Sequence, residues 1–118
     1  MMLGKLNDLA IGFVTYKPTD KFNERVNFFL NHGIKIYIYE NSESVIRISS
    51  PGITFLGDKS NSGLGIGLFE ISNMALKDGK KFLFYLDQDT AINNNIIEVL
   101  EFCQQYLKLR SKCLAINL

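Results

Sequence analysis

Apolar runs of strand length alternate with amphipathic stretches of helical period along the chain, and few architectures accept that order. Leu9–Tyr16 (LAIGFVTY) is an apolar run that ends at Lys17-Pro18, where proline cannot continue a ladder inside a sheet. Thr19 then reads as a helix N-cap with Asp20 in the first turn. Phe22, Val26, Phe29 and Leu30 follow at i, i+4, i+7 and i+8, and Gly33 closes the element. Ile34–Tyr39 has period two, with isoleucines on one side and Lys35, Tyr37 and Tyr39 on the other. Val45–Ile48 is too short to assign, Gly52–Leu56 reads as a short strand, and Gly57–Gly63 (GDKSNSG) is a loop. Leu64, Leu68, Ile71 and Ala75 mark a second helix, closed by Gly79. Phe82–Leu86 (FLFYL) is apolar on both faces, the pattern of a central strand covered on each side. A polar turn, Asp87–Asn95, leads into a third helix whose core positions are Ile96, Val99, Leu100, Cys103 and Leu107, and Leu114–Leu118 reads as a last strand. The predicted fold is α/β: a three-layer, Rossmann-like, mostly parallel sheet flanked by helices joined by right-handed crossovers.

Composition narrows the function. The 118 residues suit one domain over 1–118, and 47% apolar with 21% charged residues is a globular composition. A net charge of +1 gives no electrostatic reason to expect a nucleic-acid partner. No apolar run reaches the roughly 18–20 residues that span a bilayer. The segment Met1–Tyr16 lacks the layout of a signal peptide, because its apolar stretch follows Lys5, Asn7 and Asp8 and no small-residue cleavage site follows. Cys103 and Cys113 read as core-filling thiols, and the lone His32 as a surface residue at a helix end. The expectation is a soluble cytoplasmic domain without disulfides.

In open α/β sheets, ligands bind outside the carboxyl ends of the strands, near a topological switch point. Those ends carry Thr15-Tyr16-Lys17-Pro18, Glu40-Asn41-Ser42, the loop with Lys59 and Asn61-Ser62-Gly63, and Asp87-Gln88-Asp89-Thr90. A parallel sheet brings all four sets to one rim. Asp87 and Asp89 are the sharpest signal: where the strand stays extended, i and i+2 project to the same side. Hard oxygen donors of that kind suit Mg²⁺ or Mn²⁺, with phosphate oxygens and water filling the other sites. The plainer reading is a strand end in which Asp89 or Thr90 caps the next helix. Glu40 suits either a hydrogen-bond acceptor for a base imide or sugar hydroxyl, or a solvated acid. Asn61 suits loop bonding to the backbone, Lys59 a phosphate or water, and Tyr16 a base or the edge of the core. Two other motifs do not fit. Phosphatases of the haloacid-dehalogenase type want a Thr two residues beyond the second Asp, and here Thr90 follows Asp89 directly. Gly63-Leu64-Gly65-Ile66-Gly67 lacks the spacing of a dinucleotide fingerprint; its glycines suit close packing at a helix start, or a close approach of backbone to ligand.

Together these segments resemble a family 2 glycosyltransferase of the GT-A fold, in its rhamnosyltransferase-like branch. Thr15-Tyr16 with Pro18 is similar to the family's V-T-Y-N/x-P opening. Glu40-Asn41-Ser42 resembles its D-N-x-S, Asn61-Ser62-Gly63 its N-x-G, and Leu86-Asp87-Gln88-Asp89-Thr90 its L-D-x-D-T. The resemblance implies a nucleotide-sugar donor site, with Thr15, Tyr16, Glu40 and Ser42 beside the nucleoside and Lys59, Asn61 and Gly63 bordering the diphosphate. Asp87 would approach the ribose, Gln88 would belong to the same nucleotide-sugar site, and Asp89, with Asp87, would hold Mg²⁺ or Mn²⁺. It implies inverting transfer of a hexose, rhamnose from a dTDP donor being one option, to a saccharide or lipid-linked acceptor, the latter reached at a membrane surface. This chain departs from the pattern at Glu40, one methylene longer than the family's Asp. It departs again at Phe69 and Ile71, where a further Asn and Gly are usual. The sequence resembles the nucleotide-sugar half only. Neither the acceptor half nor a general base is identified in it, so a homodimer or partner chain is expected to complete the sheet. The other reading, from a different class, is an inactive remnant serving as an interaction or regulatory module.

Overall fold

A computed structural model describes residues 6–44, 46 and 48–110 of the chain. The elements are β1 (Leu9–Thr15), α1 (Lys21–Asn31), β2 (Lys35–Glu40), β3 (Ile53–Leu56), α2 (Leu64–Lys77), β4 (Phe82–Tyr85) and α3 (Asn95–Arg110), with a 3₁₀ turn at Leu6–Asp8 before β1. The strands form one all-parallel sheet of four in the order β3-β2-β1-β4. Ile11 pairs with Ile36 on one side and Phe84 on the other, so both faces of β1 read across the sheet in step.

The period of two in the strands sorts the core into two layers. Leu9, Ile11, Phe13, Ile36, Ile38, Ile53 and Phe84 meet Phe22, Val26 and Phe29 of α1 and Leu100 and Leu107 of α3. Phe13 is fully buried, edge-to-face with Phe22 at 4.8 Å and tilted against Phe29 at 6.3 Å. The alternate residues Ala10, Tyr37 and Tyr39 meet Ile71 and Ala75 of α2 on the other face. The result is a helix–sheet–helix sandwich, as the alternating pattern predicts.

Several details differ from the sequence reading. Phe82–Tyr85 does not lie in the middle of the sheet: among the described residues β4 pairs only with β1, and β1 and β2 are central. Apolarity on both faces reports the helices above and below a strand, and it is silent about lateral neighbours. The helix predicted from Thr19 begins at Lys21, with Asp20 at the cap position and no side chain capping it. The Thr19 carbonyl instead accepts the Phe22 N–H at 3.0 Å. In α2 the buried stripe is Gly67, Ile71 and Ala75, and Leu64 is 62% exposed. Gly67 holds the place that a larger residue would forfeit, because a Cβ there would lie 2.8 Å from a Val14 methyl. In α3 Leu100 and Leu107 are buried while Val99 faces outward. His32 is exposed, as expected, with Nδ1 2.9 Å from the Phe28 carbonyl. Cys103 is half-buried and burial pushes its thiol up, so it is packed and unreactive. The predicted strand Leu114–Leu118 and Cys113 lie outside the described residues. No helix among the described residues is long and apolar enough to cross a membrane.

The sheet is also anchored at the amino ends of its strands. The Tyr37 hydroxyl donates to Asp78 Oδ2 at 2.6 Å, and Lys35 Nζ donates to Thr54 Oγ1 at 2.7 Å. Burial, then the Asp78 hydrogen bond and charge, pushes the Tyr37 phenol well above its ordinary value of 10.0. The unfolded chain therefore releases this proton first as pH rises. Folding stability that Tyr37 contributes is complete below pH 10 and is lost above it. Thermal melting across pH 8–11 is expected to show that loss, and Tyr37→Phe to flatten it; an equal slope in both proteins would contradict the assignment.

Candidate functional site at the switch point

The chain leaves β1 through α1 to β2 on one side, runs out to β3 at the edge, and returns through α2 to β4 on the other side of β1. That reversal opens a crevice at the carboxyl ends of β1 and β4, where doubly wound sheets hold ligands. On the α2 side lies a cavity of about 270 Å³ lined by Gly12, Val14, Leu64, Leu68, Tyr85, Leu86 and Asp87. Its floor is tight: a Cβ on Gly12 would meet Ile71 at 3.0 Å and the Tyr85 ring at 3.1 Å. The Tyr85 hydroxyl donates to the Leu68 carbonyl at 2.8 Å and also meets the Ser72 hydroxyl, which fixes the ring as a wall. Burial raises that phenol, leaving it neutral and poorly suited to act as a base.

The polar strand ends are bonded to each other. Gln88 uses both ends of its amide on one backbone unit: Oε1 accepts the Tyr16 N–H at 2.8 Å and Nε2 donates to the Tyr16 carbonyl at 3.0 Å. Ser42 Oγ accepts the Lys17 N–H at 2.6 Å, holding Lys17 in a left-handed conformation at φ 47. Asn41 donates its own N–H to the Thr15 carbonyl at 2.9 Å. Its side chain accepts the Ser62 N–H at 3.0 Å and donates to the Gly63 carbonyl at 3.4 Å, so one buried amide ties the β3–α2 loop to β2.

The remaining predicted residues occupy different positions on this rim. Thr15 is buried and its hydroxyl donates to the Tyr39 carbonyl at 3.4 Å, so it faces the protein. Glu40 is buried too, while its carbonyl accepts the Lys59 N–H at 3.2 Å. Tyr16 is 47% exposed, with the Lys17 ammonium 5.3 Å from its ring centre. Lys59 lies at the surface and pairs with Glu43 at 3.6 Å. Asn61 is exposed, and the loop bonding expected of it is made by Asn41 and by Asp58, whose Oδ1 accepts the Ser60 N–H at 3.0 Å. Gly63, at φ 97, starts α2 with no side-chain cap and leaves the first-turn N–H groups toward this rim.

The acidic pair sits in a turn. The last ladder bond is Leu86 N–H to the Gly12 carbonyl at 3.1 Å, and Thr90 N–H closes on the Asp87 carbonyl at 3.0 Å. The extended spacing assumed for Asp87 and Asp89 therefore does not apply. Asp87 keeps the strand's parity and lines the cavity beside Tyr85. Asp89 lies in the turn itself, on which Arg25 of α1 closes: its Nε donates to the Thr90 carbonyl and its Nη2 to the Asp89 carbonyl at 3.3 Å. Both Asp87 and Asp89 are exposed, and neither carboxylate has a hydrogen-bond or ion-pair partner among the described residues. No group of three His, Cys, Asp or Glu side chains placed to hold a metal occurs there. Among the described residues the turn thus offers two carboxylates, Asp87 and Asp89. That number fits Mg²⁺ or Mn²⁺ shared with a phosphate ligand, and does not fit an all-protein cage.

Gly57 tests how far the rim depends on the loop. It sits at φ 88, and a Cβ would lie 2.7 Å from the Glu40 carbonyl oxygen, which is backbone and cannot turn aside. Gly57→Ala is expected to cost about 1–3 kcal/mol of strain and to detach the Asn41–Ser62 contact. Chemical denaturation and the Ser62 amide resonance check this, and an unchanged Ser62 shift would contradict it.

No protein-family model, curated protein or solved structure matches this chain.

Proposed function

We propose that the chain is a glycosyltransferase-like domain of the GT-A type that binds a nucleoside-diphosphate sugar at the β1/β4 crevice with Mg²⁺ or Mn²⁺. The observation that carries this reading is that Asp87 and Asp89 are presented at the switch point without partners among the described residues, on a rim where Gln88, Ser42 and Asn41 are bonded to the protein's own backbone. Their hard oxygens would hold the cation, and the uncapped start of α2 faces the same rim, where backbone N–H groups favour anionic oxygen. A divalent cation there would neutralise a diphosphate and assist its departure as a leaving group. Tyr16 supplies an exposed ring for a base, and Val14, Leu64 and Leu68 supply an apolar side to the cavity beside Asp87. The resemblance to rhamnosyltransferase-like members makes a dTDP donor the first to try, with a saccharide or lipid-linked acceptor. Isothermal titration with dTDP and UDP, with and without Mn²⁺, tests it: metal-dependent binding is expected, and silence to every nucleotide at millimolar concentration would end the reading.

A specific observation favours a second reading, an interaction or regulatory module without catalysis. Ile66, Phe69 and Leu76 of α2, and Phe102 of α3, are large apolar side chains at least half exposed. Among the described residues β4 also has one unpaired side, which suits a homodimer or partner chain that continues the sheet. Light scattering on the full chain checks self-association. A dimer is expected, and a monomer at high concentration would remove that part of the proposal.

A further inference from the structure

The two bonds made by Gln88 and the two made by Arg25 tie one segment, the Asp87–Thr90 turn, to two different elements. Gln88 binds it to the backbone of Tyr16 at the tip of β1, across 72 residues of sequence. Arg25 binds it to α1, its forked guanidinium placed on the Asp89 and Thr90 carbonyls, 64 and 65 residues away. Such long-range contacts are unusual for a short exposed turn, which normally satisfies itself locally or with water. The choice of acceptors matters more. A guanidinium next to an aspartate ordinarily takes the carboxylate, bidentate where it can. Here Arg25 takes the main-chain oxygens, and the Asp89 carboxylate is left without an ion pair among the described residues. Likewise Gln88, between the two acids, spends its full amide on Tyr16 and has little left for a ligand.

We propose that Gln88 and Arg25 are positioning residues: they hold the acidic turn rigid while leaving both carboxylates free to share one cation. The inference rests on the reading of this site as a metal–nucleotide site. It reassigns Gln88, which the family resemblance placed beside the ligand, and adds Arg25, which no motif indicated. Two flexible acids must be ordered when a cation binds, and a turn already fixed at both ends avoids that entropic cost.

The test uses the full chain with Gln88→Leu, which keeps the size and removes both hydrogen bonds, and Arg25→Met, which keeps the stem and removes the fork. Isothermal titration measures dTDP affinity with and without Mn²⁺, while circular dichroism follows the melting temperature. A merely structural role would change both affinities together or neither. The positioning role lowers only the Mn²⁺-dependent increment, by an expected tenfold or more, in a protein that still melts cooperatively. Amide hydrogen exchange at Tyr16 gives a second readout, with protection lost in Gln88→Leu and kept in Arg25→Met. Should either variant fail to fold, Arg25→Lys retains the charge without the fork and is expected to show the same selective loss. Wild-type metal-dependent binding that persists unchanged in the folded variants overturns the positioning role alone. Absence of metal-dependent binding in the wild type overturns the reading of the site, and the positioning role with it.

Discussion

Phe13→Ala is expected to remove a large share of the protein's stability. Phe13 is fully buried in a central strand, and its ring is the piece on which Phe22 and Phe29 of α1 converge. Deleting a buried phenylalanine costs about 3–5 kcal/mol, from lost transfer energy and the cavity left behind. A domain of this size has only about 5–15 kcal/mol in total. Urea denaturation should therefore show a midpoint shifted far down or a chain already partly unfolded. A change below about 1 kcal/mol would mean that α1 does not pack on this face as described. Because Phe13 lies on the side of the sheet away from the α2 cavity, the folded fraction should bind ligand as the wild type does.

The second large effect is on binding. Asp89→Ala, or Asp87→Ala, is expected to abolish metal-dependent nucleotide binding while leaving the melting temperature within a few degrees. Both side chains are exposed and neither is bonded among the described residues, so folding has little invested in them. A cation shared by two carboxylates and a phosphate loses a large part of its protein ligand set when one is removed. Affinity measured with Mn²⁺ should fall to the metal-free value. Unchanged affinity in both mutants would place the metal elsewhere.

How much of this was legible beforehand follows from what each pattern encodes. Period two in Ile34–Tyr39 and period 3.6 in Phe22–Leu30 encode which side of an element is buried, the apolar run Leu9–Tyr16 encodes a strand covered on both faces, and the two-layered core follows them. The alternation of elements encodes a parallel sheet, and the rim of polar strand ends follows from that. Lateral order is not encoded in the same way, so the doubly apolar Phe82–Leu86 read as central and lies at the edge of the described sheet. Nor does composition say whether a polar side chain at a strand end serves a ligand or the backbone. Ser42 and Gln88, read as ligand residues, make their bonds to Lys17 and Tyr16. Asn41, quoted only as part of a motif, proved to be the hub of the β3–α2 loop. A signal for it existed, since an asparagine directly after a buried strand needs partners wherever water is excluded. Arg25 carried a signal too: it lies three residues beyond Phe22, on the flank of the helix face that packs inward. The polar turn from Asp87 was legible, but the point where the strand stops being extended was not, and that point decides whether i and i+2 share a side.

Crystals of the full chain grown with Mn²⁺ and dTDP, with diffraction data collected at the manganese absorption edge, measure the central claim directly. The expected anomalous difference map has one strong peak contacted by Asp87 and Asp89, with the diphosphate on its other side and the base toward Tyr16. A peak on other side chains, or a nucleotide bound away from the tips of β1 and β4, would contradict the account.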